Sequence, residues 1–429
     1  MKKNLFFWIM ALMICAAVGC ADNTIYEPEK PMLKKMSHEV TQAEARENLE
    51  RIVLDLKLPS TRGGEEISLP PITSVYTTGK PAEATRSGEA EPYFHIFNFG
   101  NDEGFAIMSG DDRVEPLLAL TFSGELTPET EIDNPGFKIA YSKMEDYYVY
   151  KVSSRDSGLG FDDIPPKDSI PEPILDIDTI EHNMPLGYCP VKWGQLNPYN
   201  SICCRQEQRD SIAVGCAAVA LAQLMAIYKY PNDYLYYPSS ETESFNWNDM
   251  TSQPPSALGI EQIDSLMYLL GKPNNLNITY GTAGEGGSSA SSENVPRTLR
   301  NFGYTNGGSL INYNEERVVT ELANGYPVLL RGNDPGTMGG HIWLAHGLKE
   351  IVATYSHYHI LHGWITETPM KSYYILCNWG WYSKHDGYYL SNVFNTIEGP
   401  TFPDPDRSIV TTGTYNFAIN IQAYINIRK

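Results

Sequence analysis

The segment from Ala213 to Met225 constrains the fold of this chain more than any other. From Ala217 onward, apolar side chains lie on every face of the helix that this segment would form. Such a helix has no face to offer to water, so protein must surround it on all sides. Pro231 then ends it, because proline cannot continue a helix. The sequence therefore predicts a domain built around one buried central helix.

A change of composition divides the chain into two parts. Between residues 154 and 185, prolines are interleaved with acidic residues. Such a segment buries too little apolar surface to pack, and proteases favour it when it is exposed. At 429 residues the chain is long enough for two cores. We predict an acidic, Pro-rich linker at 154–185, a small α+β domain at 39–153 and a larger domain at 186–429.

The smaller domain shows the patterns of both helices and strands. Apolar residues recur at helical spacing between Ala45 and Leu56, and Thr41 with Glu44 forms the pattern of a capping box. Two strand patterns and a second helical stretch follow, at Tyr93–Phe99, Gly104–Met108 and Lys138–Lys151.

The N-terminus has the pattern of an export signal. A short basic region precedes an apolar run from Leu5 to Val18, which is too short for a comfortable membrane span. The run ends in AVGC, which resembles the lipobox of bacterial lipoproteins, where the Cys is diacylated. Cleavage without lipidation is the alternative. We predict a signal peptide at 1–19, lipidation of Cys20, and a tether at 20–38. The protein is expected to be exported and anchored to the bacterial outer membrane or cell surface, with release after processing as an option.

The charge of the chain excludes classes of partner. Its formal net charge is −20 and its isoelectric point is about 4.9. Nucleic acids and anionic lipid surfaces both attract basic proteins. We therefore expect no nucleic-acid binding, and contact with a membrane only through the lipid anchor.

Cys216 is the candidate nucleophile. It follows Gly215 in the first turn of the predicted central helix, where free N–H groups and the helix dipole favour an anion. A thiol at that place is expected to have a lowered pKa and a larger thiolate fraction. The alternative is a core cysteine, which is the commonest fate of an unpaired Cys.

Three further side chains complete a possible catalytic set. His341 follows two glycines and opens a strand pattern, so it can reach a cleft from a fixed backbone; strand alternation places His346 on the opposite face. Asn378, at the end of another strand and followed by Trp379, is the candidate for orienting the imidazole. Gln195 is the candidate oxyanion donor.

These residues occur in the order that papain-like peptidases use. The strings around them, WGQLNPYN, VGCAAVALAQLM, GGH and NWGW, resemble the streptopain family of bacterial cysteine peptidases. The Gly/Ser-rich stretch Gly281–Ser292 is similar to a substrate-binding segment of that family, although a flexible surface loop is the alternative. The string YFHIFNFGNDEGFAIMSGDDRVEPLLAL resembles the inhibitory prodomain of the family.

The resemblance implies an α+β fold. A papain-like catalytic domain, with a helical part and an antiparallel β part, would follow a small α+β prodomain. Cys216 would attack the peptide carbonyl as half of a thiolate–imidazolium pair with His341, and water would hydrolyse the acyl-enzyme. Gln195 and the backbone N–H of Cys216 would hold the oxyanion. Asn378 and Trp379 would position and cover the imidazole. No cofactor and no metal is implied.

The resemblance also implies the partners. Substrates would be proteins or peptides, with a bulky apolar residue one position before the cleaved one. The prodomain at 39–153 would inhibit the same chain until the linker is cut, so the precursor would be a zymogen of a cysteine endopeptidase. The residues implied to bind substrate are Ser288, Ser289, Ala290, Gly339 and Gly340.

The sequence departs from the family pattern at several places. His346 stands where the family has Asp, and Tyr382-Ser383 replace glycines that follow NWGW. The alternative function is therefore a catalytically inactive, peptidase-like surface lipoprotein that binds peptides or proteins. An acyl transferase that uses the same Cys–His chemistry is a third hypothesis.

Two other clusters have structural alternatives. The sequence between the candidate base and Asn378 carries three histidines that could bind a metal, but no carboxylate or Cys lies near them, which favours a polar surface. Adjacent cysteines could form a vicinal disulfide, or one of them could pair with Cys189. The residues concerned are His357, His359 and His362, and Cys203 and Cys204.

Overall fold

The computed structural model describes most of the chain after residue 37. The described residues are 38–56, 70–80, 91–156, 174–182, 191–235, 242–333, 340–359, 363–366, 370–395 and 421–429. The predicted signal peptide, Cys20 and nearly all of the tether lie outside them, as does Gly339. His38–Lys429 form one compact unit. Within these ranges, no helix is both long enough and apolar enough to span a bilayer.

Among the described residues, the N-terminal part (38–156) contains two α-helices and four strands. The predicted capping box is confirmed, because the Glu44 carboxylate accepts from the Thr41 N–H at 2.8 Å while the Glu44 N–H donates to the Thr41 hydroxyl at 3.4 Å. The predicted helices and strands are confirmed with slightly shifted ends. In chain order the elements are α1 (Gln42–Leu56), β1 (Ile72–Thr77), β2 (Phe94–Phe99), β3 (Phe105–Ser109), β4 (Leu117–Thr121) and α2 (Pro135–Asp156), of which β1 and β4 were not predicted. One more strand, β5 (Ile174–His182), precedes the C-terminal part.

In the C-terminal part, which begins at residue 191, helices predominate in the first half and strands in the second. Its first elements are α3 (Ser201–Glu207), α4 (Cys216–Tyr228), β6 (Asp233–Leu235), β7 (Thr242–Ser244), α5 (Trp247–Met250), α6 (Ala257–Gly271) and α7 (Asn294–Asn301). The later ones are β8 (Asn306–Asn312), α8 (Glu315–Ala323), β9 (Val328–Asn333), β10 (Gly340–His359), β11 (Gly363–Thr366), β12 (Met370–Asn378), β13 (Gly387–Leu390) and β14 (Gln422–Arg428).

One antiparallel sheet runs through both parts. Its strand order is β1-β2-β3-β4-β13-β12-β10-β9-β14-β8, and the two parts join where Leu120 of β4 lies opposite Tyr388 of β13. The α+β class predicted from the sequence is confirmed by this sheet and its helices. The domain boundaries at 39–153 and 186–429 remain a prediction, because the shared sheet joins both segments in one unit.

The linker prediction is wrong for residues 174–182. They form β5, which pairs antiparallel with β10 from Leu348 to Ser356. The physical reason is visible in the sequence ILDIDTIEH, where branched apolar residues recur among acidic ones as a strand allows. Backbone pairing satisfies the N–H and C=O groups of the segment without requiring a core of its own.

Two hydrophobic cores lie on opposite faces of β10. Trp343 and Ala345 belong to the first core, which contains most of the N-terminal part. Ile342 and Leu344 belong to the second core, which surrounds α4. All residues of α4 after Cys216 are buried, which confirms the predicted central helix. Each fully buried Leu or Val stabilises the fold by about 1.5–3 kcal/mol, so α4 anchors the residue at its start.

Candidate active site

Cys216 is the first residue of α4 and is half-buried. Gly215 before it has φ 91°, a left-handed conformation that favours glycine. The N–H groups of Ile342, Ala217 and Cys216 itself face the sulfur and favour the thiolate, but burial outweighs them and raises the pKa of the Cys216 thiol above its ordinary value. The lowered pKa expected from the helix start is therefore wrong for this form of the protein, in which the thiol is neutral at neutral pH.

His341 is the second residue of β10 and is 4% exposed. Its Nε2–H donates to the carbonyl of Trp379 at 2.8 Å, because a carbonyl can only accept. Burial lowers the pKa of His341 to about 4, and the hydrogen bond to Trp379 opposes that shift. The imidazole is therefore neutral, with its lone pair on Nδ1, which is the form that a general base requires.

The Cys216 thiol and the His341 imidazole lie in neighbouring positions but are not hydrogen-bonded to each other. Ile342, whose N–H faces the sulfur of Cys216, is the neighbour of His341 in β10. His341 stacks on Trp343 at 6.3 Å between ring centroids, on the side of the first core, whereas Cys216 packs against the second. Within the described residues no hydrogen bond connects the two, so the predicted ion pair is not formed in this form of the protein.

The alternation argument that placed His346 opposite His341 needs correction. In the pairing of β10 with β12, His346 is the extra residue of a bulge between Ala345 and Gly347. A bulge interrupts the alternation of side chains, so strand parity alone does not exclude His346 as a base. The position of Cys216 favours His341, because the N–H that faces the sulfur belongs to Ile342, the residue directly after His341.

Asn378 ends β12 as predicted, but its side chain hydrogen-bonds to residues other than His341. Its Oδ1 accepts from Gln223 Nε2 at 2.7 Å and from the Gly380 N–H at 3.1 Å, and its Nδ2 donates to the Val191 carbonyl at 3.0 Å. These bonds fix the backbone around residue 379, whose carbonyl holds the imidazole. Trp379 itself is fully buried, as expected of a residue that shields the site.

Two supporting residues were missed from the sequence. Asp386 accepts from the Trp379 N–H at 2.9 Å, and burial raises the pKa of its carboxyl to about 8. Gln223 holds Asn378 from within the buried helix α4. A signal for Gln223 was present, because it is the one amide side chain among the apolar residues of that helix.

Gln195 lies beside the segment that leads into Cys216. Its carbonyl accepts from the Val214 N–H at 2.9 Å, and the residue is 9% exposed. The two residues predicted to hold an oxyanion are thus held close by a backbone hydrogen bond between their loops.

The predicted substrate-binding stretch borders the same segment. Ser288 donates to the Ala213 carbonyl at 2.5 Å and accepts from the Gly281 N–H at 2.9 Å. Ser289 forms an isolated bridge with Thr279, Ala290 is exposed, and the exposed Gly340 opens β10. Hydrogen bonds of Ser288 and the bridge of Ser289 thus hold this stretch against neighbouring segments.

The start of α2, in the N-terminal part, lies on the candidate base. A Cβ placed on Gly136 would be 2.8 Å from His341 Cδ2 and 2.4 Å from Trp379 Cε3, so only a glycine fits without a shift. Asn134 caps this helix by accepting from the N–H groups of Gly136 and Phe137 at 3.0 and 3.2 Å. The N-terminal part therefore covers the imidazole directly.

The structure describes only part of the two remaining clusters. His357 and His359 lie in β10 opposite β11, and His362 falls outside the described residues. No group of three or more His, Cys, Asp or Glu residues suited to a metal occurs in the part of the chain that the structure describes. Cys203 and Cys204 are both free thiols, so the vicinal disulfide is wrong, and the alternative pairing with Cys189 lies outside the described residues.

Comparison with known proteins finds relatives with peptidase names. The chain is 26% identical to streptopain from Streptococcus pyogenes over 346 residues, which cover 70% of this chain and 74% of streptopain. It is 24% identical to the thiol protease/hemagglutinin PrtT from Porphyromonas gingivalis over 333 residues. That match covers 71% of this chain and spans only 34% of PrtT. Among solved structures, a prointerpain A fragment from Prevotella intermedia matches with a TM-score of 0.48 at 20% identity, over 83% of this chain and 98% of the fragment.

Two family models match consecutive segments that together make up most of the chain. The model described as Spi protease inhibitor matches residues 37–148, and the model described as Peptidase C10 family matches residues 193–389. The first segment contains the start of the helix that covers His341, and the second contains Gln195, Cys216, His341 and Asn378. The chain therefore contains a segment that matches the Peptidase C10 family, preceded by a segment that matches the Spi protease inhibitor family.

Proposed function

We propose that this chain is the zymogen of an exported cysteine endopeptidase, with Cys216 as nucleophile and His341 as base. One observation carries the proposal. A segment that matches an inhibitor family lies directly on a neutral imidazole, beside a thiol at the start of a buried helix. A covered base and a protonated thiol are what a latent peptidase requires.

Activation follows from removing the cover. Once residues 39–153 leave, water reaches His341, and the burial that lowers its pKa is relieved. The Cys216 thiol can then give its proton to Nδ1 and form the ion pair. The proposed place of cleavage is the predicted linker at 154–185, outside the strand β5 at Ile174–His182.

The reaction is acyl transfer to water. The sulfur of Cys216 bonds to the peptide carbonyl carbon, and the amide of Gln195 with the Cys216 N–H holds the oxyanion. His341 gives the proton to the leaving amine, and a water molecule that it deprotonates then hydrolyses the thioester. Trp379 keeps the imidazole in place through its carbonyl, and Asn378 and Asp386 hold that peptide unit. The proposed substrates are proteins or peptides that contact Ser288–Ala290 and Gly339–Gly340.

The proposed location follows from the N-terminal sequence. The apolar run from Leu5 to Val18 and the AVGC string support export and lipidation at Cys20. We place the protein on the bacterial outer membrane or cell surface, held by lipid, with release once the linker is cut.

One observation favours the alternative of an inactive peptide-binding protein. The side chain of Asn378 is occupied by Gln223 and Val191 rather than by His341. If that arrangement persists after the prodomain leaves, only the Trp379 carbonyl orients the base.

The test compares the purified precursor with its Cys216→Ala variant on a denatured protein substrate. We expect linker cleavage and substrate proteolysis in the wild type and neither in the variant, while Cys204→Ala, which removes another half-buried thiol, keeps both. Equal behaviour of wild type and Cys216→Ala would refute the proposal. Slow, uniform iodoacetamide labelling of all thiols after prodomain removal would favour the inactive binding protein.

A further inference from the structure

The turn after Trp379 holds a tyrosine where glycine would be free of strain. Tyr382 has φ 57° and Ser383 has φ 63°, both in the left-handed region. Residues with a Cβ enter this region at a conformational cost, and such positions cluster where the surrounding structure demands them. The left-handed conformation of Tyr382 therefore indicates that surrounding contacts hold this residue in place.

Tyr382 contacts the residues on both sides of Gln195. Its hydroxyl accepts from the Leu196 N–H at 2.8 Å and donates to the Asn197 carbonyl at 3.2 Å. Its own N–H donates to the Trp193 carbonyl at 3.2 Å. The ring of Tyr382 packs on Gly194, the residue before Gln195, where an added Cβ would be 2.3 Å from the ring.

Gln195 is thus held from two directions. Tyr382 fixes the chain before and after it, while the carbonyl of Gln195 accepts from Val214, two residues ahead of Cys216. The backbone of Gln195 cannot move relative to the start of α4 without breaking these bonds. The amide side chain remains as the part that can face a substrate.

We propose that Tyr382 is a positioning residue that holds Gln195 as the oxyanion donor; this inference rests on the proposed function. A hydrogen-bond donor stabilises a developing oxyanion only if it is already in place when the charge forms. A donor on a loop needs supporting contacts to stay within a fraction of an ångström. Tyr382 supplies those contacts.

The support belongs to the peptidase segment and outlasts the prodomain. The N-terminal part binds the same turn at other residues, with Ser123 donating to the Ser383 carbonyl at 2.5 Å and Asn134 donating to the Lys384 carbonyl at 2.7 Å. All contacts of Tyr382 with the Gln195 loop lie within residues 193–382. Removing residues 39–153 therefore leaves them intact.

The kinetic test uses the activated enzyme and the variant Tyr382→Phe, which keeps the ring and loses both hydroxyl bonds. Removing an oxyanion donor outright lowers kcat by about 10²–10³, so loosening the donor should lower kcat by about tenfold with KM within about twofold. Ser383→Ala is the matched control, because Ser383 meets the prodomain through its carbonyl; kcat should stay unchanged. An unchanged kcat in Tyr382→Phe would overturn the inference.

A double-mutant cycle separates positioning from general stability. If Tyr382 acts through Gln195, adding Tyr382→Phe to Gln195→Ala should lower kcat by less than about twofold, since coupled residues are not additive. A full tenfold further loss in that background would show that Tyr382 acts by another route.

Hydrogen exchange tests the contact without any activity. In the Cys216→Ala precursor, Tyr382→Phe leaves the Leu196 N–H without the acceptor it uses, so its exchange should speed up while that of α4 stays unchanged. Unchanged exchange at Leu196 overturns the inference. If the activated wild type lacks peptidase activity, the proposed function fails, and this measurement alone decides whether Tyr382 holds the loop.

Discussion

Burial decides the protonation of Cys216 and His341 in the precursor. The start of a helix favours an anion by about 0.3–1 kcal/mol, whereas full burial shifts a pKa by up to about 3–5 units, each worth about 1.4 kcal/mol. The larger effect wins at both residues, so the pKa of the thiol is raised and that of the imidazole falls to about 4. Latency at the residue scale is therefore the neutral form of both groups.

The cover on His341 depends on the smallest side chain, at Gly136. Replacing it by alanine puts a methyl group within 3 Å of both His341 and Trp379, so α2 or the two rings must shift. Overpacking of this kind costs about 1–3 kcal/mol. We expect Gly136→Ala to process its linker faster than the wild-type precursor, measured by gel analysis over time.

The control for this prediction is Lys138→Ala, which changes an exposed residue of the same helix. It should process at the wild-type rate. A Gly136→Ala precursor as latent as the wild type would show that the contact with His341 does not maintain inhibition.

At the scale of elements, the strand β5 fixes part of the predicted linker to the sheet. Nine residues of the predicted linker pair with β10, the strand that also carries His341. A protease needs an extended segment that it can pull into its cleft, so a paired strand is protected compared with a free one. The segment proposed for cleavage is therefore shielded in part by its pairing with β10.

Proline in the middle of β5 should expose the linker. Thr179 lies opposite Ile351, and proline there removes an N–H and fixes φ, which disfavours pairing. In the Cys216→Ala precursor we expect added thermolysin to cut between residues 154 and 190 faster in Thr179→Pro than in Thr179→Ala, as mass spectrometry would show. Equal cutting rates would mean that β5 does not protect the linker.

At the scale of the whole molecule, a buried histidine lies where the two parts meet. His385 is 0% exposed, and neither ring nitrogen has a hydrogen-bond partner in the described structure. Its ring packs on Phe105 and Phe137 of the N-terminal part at centroid distances of 5.7 and 4.5 Å. The nearby charges are those of Lys384 and Asp133, which form an ion pair at 2.7 Å.

Acid should weaken the precursor through His385. Burial lowers its pKa from 6.5 to about 4, so the unfolded chain takes up the proton at higher pH than the folded one. Stability is therefore lost progressively as pH falls from 6.5 to about 4, by a total of about 3 kcal/mol. We expect His385→Gln in the Cys216→Ala background to lose less unfolding free energy over that window, measured by urea denaturation.

The comparison between variants is needed because other groups titrate in the opposite sense. Burial raises the pKa of Asp386 to about 8, so its protonation favours the folded state as pH falls. His38→Gln is the control, since the hydrogen bond with Asp112 raises the pKa of His38 and its removal should steepen the acid loss. Parallel pH profiles for the wild type and His385→Gln would contradict the role given to this ring.

The sequence by itself determined the class of fold and indicated the candidate site residues. Local patterns decide the central helix α4, the capping box at Thr41 and the strand that ends at Asn378, because periodicity and capping act within a few residues. The order of Gln195, Cys216, His341 and Asn378 indicated the family, which the matched peptidase segment supports.

Only the tertiary structure decided how those residues are held. Three contacts join residues far apart in the chain. Asn378 accepts a hydrogen bond from Gln223, His341 donates one to the Trp379 carbonyl, and Gly136 packs on the imidazole. Burial likewise depends on what packs on a group from elsewhere, and it reversed the expected pKa of Cys216. Local sequence indicated Cys216 as the candidate nucleophile, whereas the neutral form of its thiol is a property of the assembled fold.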